Sequence, residues 1–439
     1  MKMFIQLAVI NSVLTTAAFA VNLGPNVVYG DDNRHEVYEA SEANQQLAKS
    51  TAAMVAVTSI APNASMPGLM TLDQHTLTDW IQNGNKDINF CEGTRYAAQP
   101  NPSMCSGFLI APDLMVTAGH CVEIENMCND FSWVFDFNVD KDTKLAGQDI
   151  KPENIYKCKK IVSNALSFLL GLDHGVIQLD RVVTGRVPLE INNSTKVTDG
   201  QGVLVIGNPS GLPTKVADGS MVRDNSSSSF FVANLDTFGG NSGSAVFNSD
   251  TGVVEGILVR GEEDYVANYS KMCVEVNVCA SDACRGEDVS RMTSIPEVAI
   301  QNELNAASIS GDMFNLDRIL ALNTWVDFYT KDGQSALMKA SAVGQNVSMA
   351  ALLKKGADVN LKDANGNTAL HLLAKVLTTS NAEALKTLVA AGANLEAQNA
   401  RGETALLVAT RNSNHEAVTL LVTAGSDKSA LVVNCDGDN

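Results

Sequence analysis

The strongest constraint on this chain is a repeat in its last third. Asp332-Gly333-Gln334-Ser335-Ala336-Leu337, Asn365-Gly366-Asn367-Thr368-Ala369-Leu370 and Arg401-Gly402-Glu403-Thr404-Ala405-Leu406 recur at 33 and then 36 residues. A second signature keeps step: Gly356-Ala357-Asp358-Val359-Asn360, Gly392-Ala393-Asn394-Leu395-Glu396 and Gly425-Ser426-Asp427. The apolar spacing between them is helical. A unit of this size cannot bury its apolar face alone and folds by stacking on its neighbour, so the period predicts an all-α solenoid over residues 301–433. Residues 303–330, beginning Glu303-Leu304-Asn305-Ala306-Ala307, read as a degenerate capping repeat. Three extra residues near Val376–Asn381 fall between the two helices of the middle unit.

The period and the recurring Gly-x-Ser/Thr-Ala-Leu are similar to those of ankyrin repeats. That resemblance implies a concave face and, with it, a possible protein partner. His371 then occupies the usual structural position of the repeat and is not expected to be a ligand.

Before residue 300 the pattern has period two. Thr51–Thr58 reads as the first buried strand, and a short helical patch is expected around Leu72–Ile81. From Met104 to about Glu263, short apolar runs alternate with Gly, Asn, Asp and Ser turns: Ser132–Phe137, Gly175–Leu179, Gly202–Ile206, Phe230–Ala233, Ser244–Phe247 and Val253–Val259. Many short strands so spaced predict an all-β double barrel over residues 51–300. The chain is therefore multidomain, as its 439 residues allow.

Two motifs in this part carry chemistry. Two apolar runs around a turn at Ala111–Asp113 end in Thr117-Ala118-Gly119-His120-Cys121. Downstream lies Asp236-Thr237-Phe238-Gly239-Gly240-Asn241-Ser242-Gly243-Ser244, a Gly-rich turn carrying a serine. A serine hydroxyl attacks only when a base takes its proton and donors receive the oxyanion. The pentapeptide resembles the histidine motif of chymotrypsin-like serine peptidases, and the serine motif follows in that family's order. The resemblance implies two six-stranded β-barrels with the active site in the cleft between them. It also implies Ser242 as nucleophile, His120 as general base and then acid, and the N–H groups of Gly240 and Ser242 as oxyanion hole. Leu172-Asp173-His174-Gly175-Val176-Ile177-Gln178-Leu179 matches the family's acid motif, so Asp173 is the expected third member. Asp149, Asp180 and Asp199 lack that context.

Departures from the digestive enzymes are informative. Those enzymes carry an aspartate before the serine, which pairs with a newly cut N-terminal amine; Asn241 is neutral and cannot. Gly240-Asn241-Ser242-Gly243-Ser244, Val28–Arg34, Ile206–Pro213 and Val254–Gly261 resemble secreted bacterial peptidases of the trypsin and glutamyl-endopeptidase type, over roughly residues 26–295. Asp236 lies six residues before Ser242, where trypsin-like enzymes hold the acid at the base of the specificity pocket. Cleavage after Arg or Lys is the expectation. Arg260 could neutralise Asp236, or Asp236 could be a turn residue facing outward.

The first twenty residues read as a signal peptide: basic Lys2, apolar Met3–Leu14 and the cleavage site Ala18-Phe19-Ala20. A secreted or periplasmic protein is expected, and no other apolar run approaches the roughly eighteen residues of a membrane span. Residues 21–50 read as a propeptide or N-terminal arm, and 434–439 as a tail. Eight of the nine cysteines lie between Cys91 and Cys284, in keeping with disulfides. The family's histidine-loop bridge implies Cys105–Cys121, and proximity in the chain suggests Cys128–Cys158. Cys91, Cys273, Cys279, Cys284 and Cys435 remain unassigned. There is no Cys-x-x-Cys pair and His120 is the only histidine next to a cysteine, so no metal site is expected, and the peptidase resemblance implies no cofactor. Of the net charge of −18, nearly all falls in residues 21–300, with 19 basic and 35 acidic side chains. That balance argues against nucleic acid and anionic membrane as partners, while protein or peptide substrates are what the peptidase resemblance implies. The rival function is a catalytically silent protease fold that presents ankyrin repeats to a partner.

Overall fold

The computed structural model describes residues 28–429 apart from 84–85, 125, 168–169, 193–194, 262, 281, 322–325, 328–333 and 364. The expected signal peptide over 1–20, the tail 434–439, Cys435 and the Asp332-Gly333 turn lie outside the described residues.

Alternating apolar residues build twelve principal strands. The first six are β1 (Thr51–Ala56), β2 (Ser103–Ala111), β3 (Leu114–Thr117), β4 (Phe131–Phe135), β5 (Ile155–Ser167) and β6 (Leu172–Leu179). They close into an antiparallel barrel in which β1 follows β2, β3, β6, β5 and β4 around the ring. The second six are β7 (Gly202–Gly207), β8 (Lys215–Asp224), β9 (Phe230–Ala233), β10 (Ala245–Asn248), β11 (Val254–Arg260) and β12 (Glu287–Arg291). Pairing of β7 with β8 closes this ring too, in the same order as the first. The chain thus uses one topology twice. A single apolar cluster, from Phe108, Ile110 and Val116 through Ile206 to Phe247 and Ile257, runs through both barrels and fixes them against each other. Phe108, Phe135 and Phe247 are fully buried, each contributing about 1.5–3 kcal/mol.

Some boundaries differ from the sequence reading for local reasons. β1 stops at Ala56 because Val57–Ser59 turns into a short 3-10 helix. The helix expected over 72–81 is confined to Leu77–Gln82, where Thr76 and Asp79 form a capping box; Leu72 instead ends a short strand, Met70–Leu72. β4 ends at Phe135 because Asp136 adopts a left-handed φ of 59°. Residues 28–50 are folded. Val28–Tyr29 pairs with Val278–Cys279, Arg34–Glu36 adds to the edge of β8, and Ser41 caps a helix over Glu42–Ala48.

Past Arg291 the chain is helical. A capping pair, α1 (Gln301–Ser310) and α2 (Met313–Ala321), precedes three further pairs. These are α3 (Ala336–Ala342) with α4 (Asn346–Lys354), α5 (Ala369–Val376) with α6 (Ala382–Ala390), and α7 (Ala405–Arg411) with α8 (His415–Thr423). Ser335 and Thr404 cap their helices through N–H bonds from Met338 and Leu407, each cap worth about 1 kcal/mol. The inserted residues of the middle unit form a short turn over Thr379–Asn381. One core runs through all four pairs, from Leu304 through Leu337, Leu370 and Leu406 to Leu421.

Candidate active site

The topology brings the two chemical motifs to the junction of the barrels. β3 ends at Thr117, and the turn Gly119–Val122 presents His120 beyond it. β6 pairs with β3 through Gly175 and Thr117, which places Asp173 beside that turn. The Asp173 carboxylate is buried. Its Oδ1 accepts the His120 backbone N–H at 3.1 Å, and its Oδ2 lies 2.9 Å from His120 Nδ1. Nδ1–H therefore donates to Asp173, and Nε2 is left as the proton acceptor. The His120 ring keeps 23% of its side-chain surface exposed, enough to meet a substrate.

Ser242 sits on the turn between Phe238 and β10. The turn is tied to β2 by one residue. Ser106 N–H donates to the Ser242 carbonyl (2.8 Å), and Ser106 Oγ donates to the Gly240 carbonyl (3.0 Å) while accepting from Asn208 N–H (3.0 Å). Two glycines make this approach possible. Gly240 and Gly243 have φ of 90° and 89°, and a Cβ at Gly243 would lie 2.1 Å from Ser106 O and 2.3 Å from Thr117 Oγ1. The same contacts show how close the serine turn comes to the strand that carries His120. Cys121 Sγ is 3.7 Å from the Ser242 carbonyl oxygen.

Among the described residues neither the Gly240 nor the Ser242 N–H is donated to a protein acceptor, and the Ser242 hydroxyl has no hydrogen-bond partner, His120 Nε2 included. Such contacts commonly tighten only around a substrate. Asn241 is buried, and its Oδ1 accepts from Ser244 Oγ at 3.2 Å. Cys105, Cys121 and His120 cluster, but the two sulfurs form a disulfide and offer no thiolate to a metal.

Asp236 is 1% exposed and meets the N-terminal segment. Its Oδ1 accepts Tyr29 N–H (2.7 Å) and its Oδ2 accepts Asn33 N–H (3.0 Å). Burial pushes this carboxyl up to about 6, against the pull of those two N–H groups. Arg260 lies 3.5 Å from Asp288. Two further acids border the same loop. Glu287, fully buried, accepts from Thr237 Oγ1 (2.9 Å) and Tyr29 OH (3.3 Å), and Asp264 accepts Gly239 N–H (2.9 Å). Burial raises both well above the usual carboxylate range.

Sequence reasoning missed Ser106, Arg34, Asp264 and Glu287. Arg34 ends the segment Val28–Arg34 singled out by resemblance and Ser106 follows the implied bridge residue Cys105, whereas nothing local marks Asp264 or Glu287. The structure joins Cys105 to Cys121 and Cys128 to Cys158, and adds Cys91–Cys273 and Cys279–Cys284.

The doubled barrel, with an aspartate–histidine pair beside a Gly-rich serine turn, agrees with the family comparison. Residues 105–257 match the model of the trypsin-like peptidase domain. Residues 304–397 and 373–422 match two ankyrin-repeat models. The chain carries a trypsin-like peptidase domain followed by ankyrin repeats. Among curated proteins it is similar to the potassium channel AKT2/3 of Arabidopsis thaliana, 26% identical over 31% of this chain and 20% of the channel. It is also similar to inversin of Gallus gallus, 32% identical over 28% of this chain and 11% of inversin. The chain thus spans a fifth or less of these relatives, and their names do not bear on the barrels. Among the described residues no helix is long and apolar enough to cross a membrane.

Proposed function

We propose that this chain is a serine endopeptidase, exported to the cell exterior or periplasm, that cleaves proteins after Arg or Lys and binds a protein partner through its ankyrin repeats. The observation that carries the reading is the two-point grip of Asp173 on His120, on the ring Nδ1 and the backbone N–H, beside a serine turn held by Ser106. In the reaction Ser242 Oγ attacks the scissile carbonyl and its proton passes to His120 Nε2. Asp173 steadies the imidazolium that results. The N–H groups of Gly240 and Ser242 receive the oxyanion, a type of contact whose loss typically costs about 10²–10³ in turnover. His120 then protonates the leaving amine, and water resolves the acyl-enzyme by the same route in reverse.

The basic specificity is supported by the place of Asp236, six residues before Ser242 and beside the serine turn. Export is supported by the leader-like first twenty residues and by four disulfides.

The test is labelling of the purified chain with a fluorophosphonate, followed by mapping of the modified peptide. Ser242 is expected to carry the label. Ser242→Ala is expected to abolish casein hydrolysis with an unchanged melting temperature. Normal turnover in that variant, or an unlabelled native protein, would leave only the binding-protein reading. Peptide-library profiling tests the specificity, and dominant cleavage after Glu would refute it.

A further inference from the structure

The N-terminal segment grips the serine turn from behind, at three consecutive residues. Asp236 receives the N–H groups of Tyr29 and Asn33. Thr237 is reached through Glu287, which also takes the Tyr29 hydroxyl. Phe238 is covered by the Arg34 guanidinium, 3.8 Å above its ring. These residues lead directly to Gly239 and Gly240, and the Phe238 carbonyl accepts Asn241 N–H at 3.0 Å, closing the turn that aims the Gly240 N–H.

Arg34 is itself held rigidly. It is 3% exposed, and its Nε and Nη2 donate to the two oxygens of Asp32 at 2.9 and 2.7 Å. Its carbonyl accepts Tyr96 OH at 2.7 Å and also takes the Arg95 guanidinium. Its strand is paired along β8 at Lys215–Ala217. Arg34, Lys215, Asp236 and Asn241 line one narrow cavity behind the turn. A planar cation that stacks and bonds bidentately suits this place; an ammonium does not. Asn241, neutral and bonded to Ser244, supplies no charge to order the turn; Ser106 ties the turn at Gly240 and Ser242, and the N-terminal segment ties it at 236–238.

We propose that residues 28–36 are a permanent brace of the serine turn, retained in the active enzyme, with Arg34 as the positioning residue that sets the oxyanion donors. The inference rests on the endopeptidase reading and extends it to a segment that the sequence alone leaves open as a propeptide. Arg34 touches neither Ser242 nor His120 and acts through Phe238.

The experiment uses the full chain. The intact mass of fluorophosphonate-labelled enzyme is expected to include residues 28–36; labelled, active enzyme lacking them overturns the proposal. Arg34→Ala is expected to lower kcat and the labelling rate by about tenfold or more, as a small misplacement of reacting groups does, with KM within about twofold. Affinity for a peptide boronate should fall in step with kcat, while affinity for a product peptide should not. Added guanidinium is expected to restore part of the activity of Arg34→Ala, and Arg34→Lys is expected not to substitute for arginine. If Arg34→Ala does not fold, Phe238→Leu keeps an apolar plug, removes the stacking face and should give the same kcat-selective loss. Wild-type kcat and boronate affinity in cooperatively folded variants would overturn the brace alone. Failure of the wild-type chain to label would overturn the endopeptidase reading and the brace with it.

Discussion

Two histidines of this chain show how environment assigns a role. His120 has Nδ1 bonded to a buried carboxylate and its ring partly in solvent, an arrangement that fixes the tautomer with the proton on Nδ1. His371 is fully buried, its Nδ1 accepts from Thr368 and its Nε2–H donates to the Glu403 carbonyl at 2.9 Å. It bridges two repeats as a neutral ring, and burial lowers its pKa. The unfolded chain therefore binds a proton at His371 more readily than the folded one. Stability from this residue is present above the ordinary histidine value near 6.5 and is lost as pH falls below it. The unfolding midpoint of the repeats is expected to drop between pH 7.5 and 5, and to drop less in His371→Gln. Equal pH dependence of the two proteins in urea titrations would refute the assignment. Residues of this kind were legible in the sequence because each stands in a short motif whose neighbours serve the same purpose: Thr-Ala-Gly before His120, and Thr-Ala-Leu before His371.

At the scale of elements, strands and helices were legible where periodicity is local, and contacts were not where they join distant segments. Cys105 lies in β2 and Cys121 in the turn after β3, and the resemblance to the family's histidine-loop bridge made their pairing legible. Cys91 and Cys273 are separated by 182 residues, and only the folded topology brings them together. That bond ties the segment after the Leu77–Gln82 helix to the hairpin Tyr265–Asn268 and Cys273–Val276. Tyr265 of the hairpin packs 5.3 Å from Phe238 and 5.2 Å from Phe90, and bonds Ser210 Oγ at 2.7 Å. The hairpin therefore adjoins the serine turn through its aromatic face, yet it touches neither His120 nor Asp173. Cys91→Ser with Cys273→Ser is expected to lower stability by about 2–5 kcal/mol in denaturant titrations. It should raise KM more than it lowers kcat, since the triad candidates keep their own supports. A fall in kcat with KM unchanged would show that the hairpin acts on the chemistry. Glu287 and Asp236 illustrate the same limit of sequence reading. The position of Asp236 six residues before Ser242 is visible in the chain, but its partners, Tyr29 and Asn33, lie more than two hundred residues away.

At the scale of the whole molecule, the chain has separate apolar cores for its barrels and its repeats. The core shared by the barrels ends at Val298, and the core of the repeats begins at Leu304. A cut near residue 300 falls between them and, among the described residues, removes none bonded to His120, Asp173 or Ser242. A repeat array stabilises itself by stacking neighbour on neighbour, so it has no need of the barrels to keep its concave face. Residues 21–300 alone are expected to retain peptide hydrolysis, with kcat/KM within about twofold, because independent sites contribute nearly additively. Residues 301–433 alone should melt as one cooperative helical unit and compete with the full chain for its protein partner. If the repeats only shield the catalytic domain, truncation will instead leave every binding partner in place while shortening survival under added protease. A truncated enzyme that folds but does not hydrolyse peptides would show that the repeats complete the active site, and the two-module account would then be wrong.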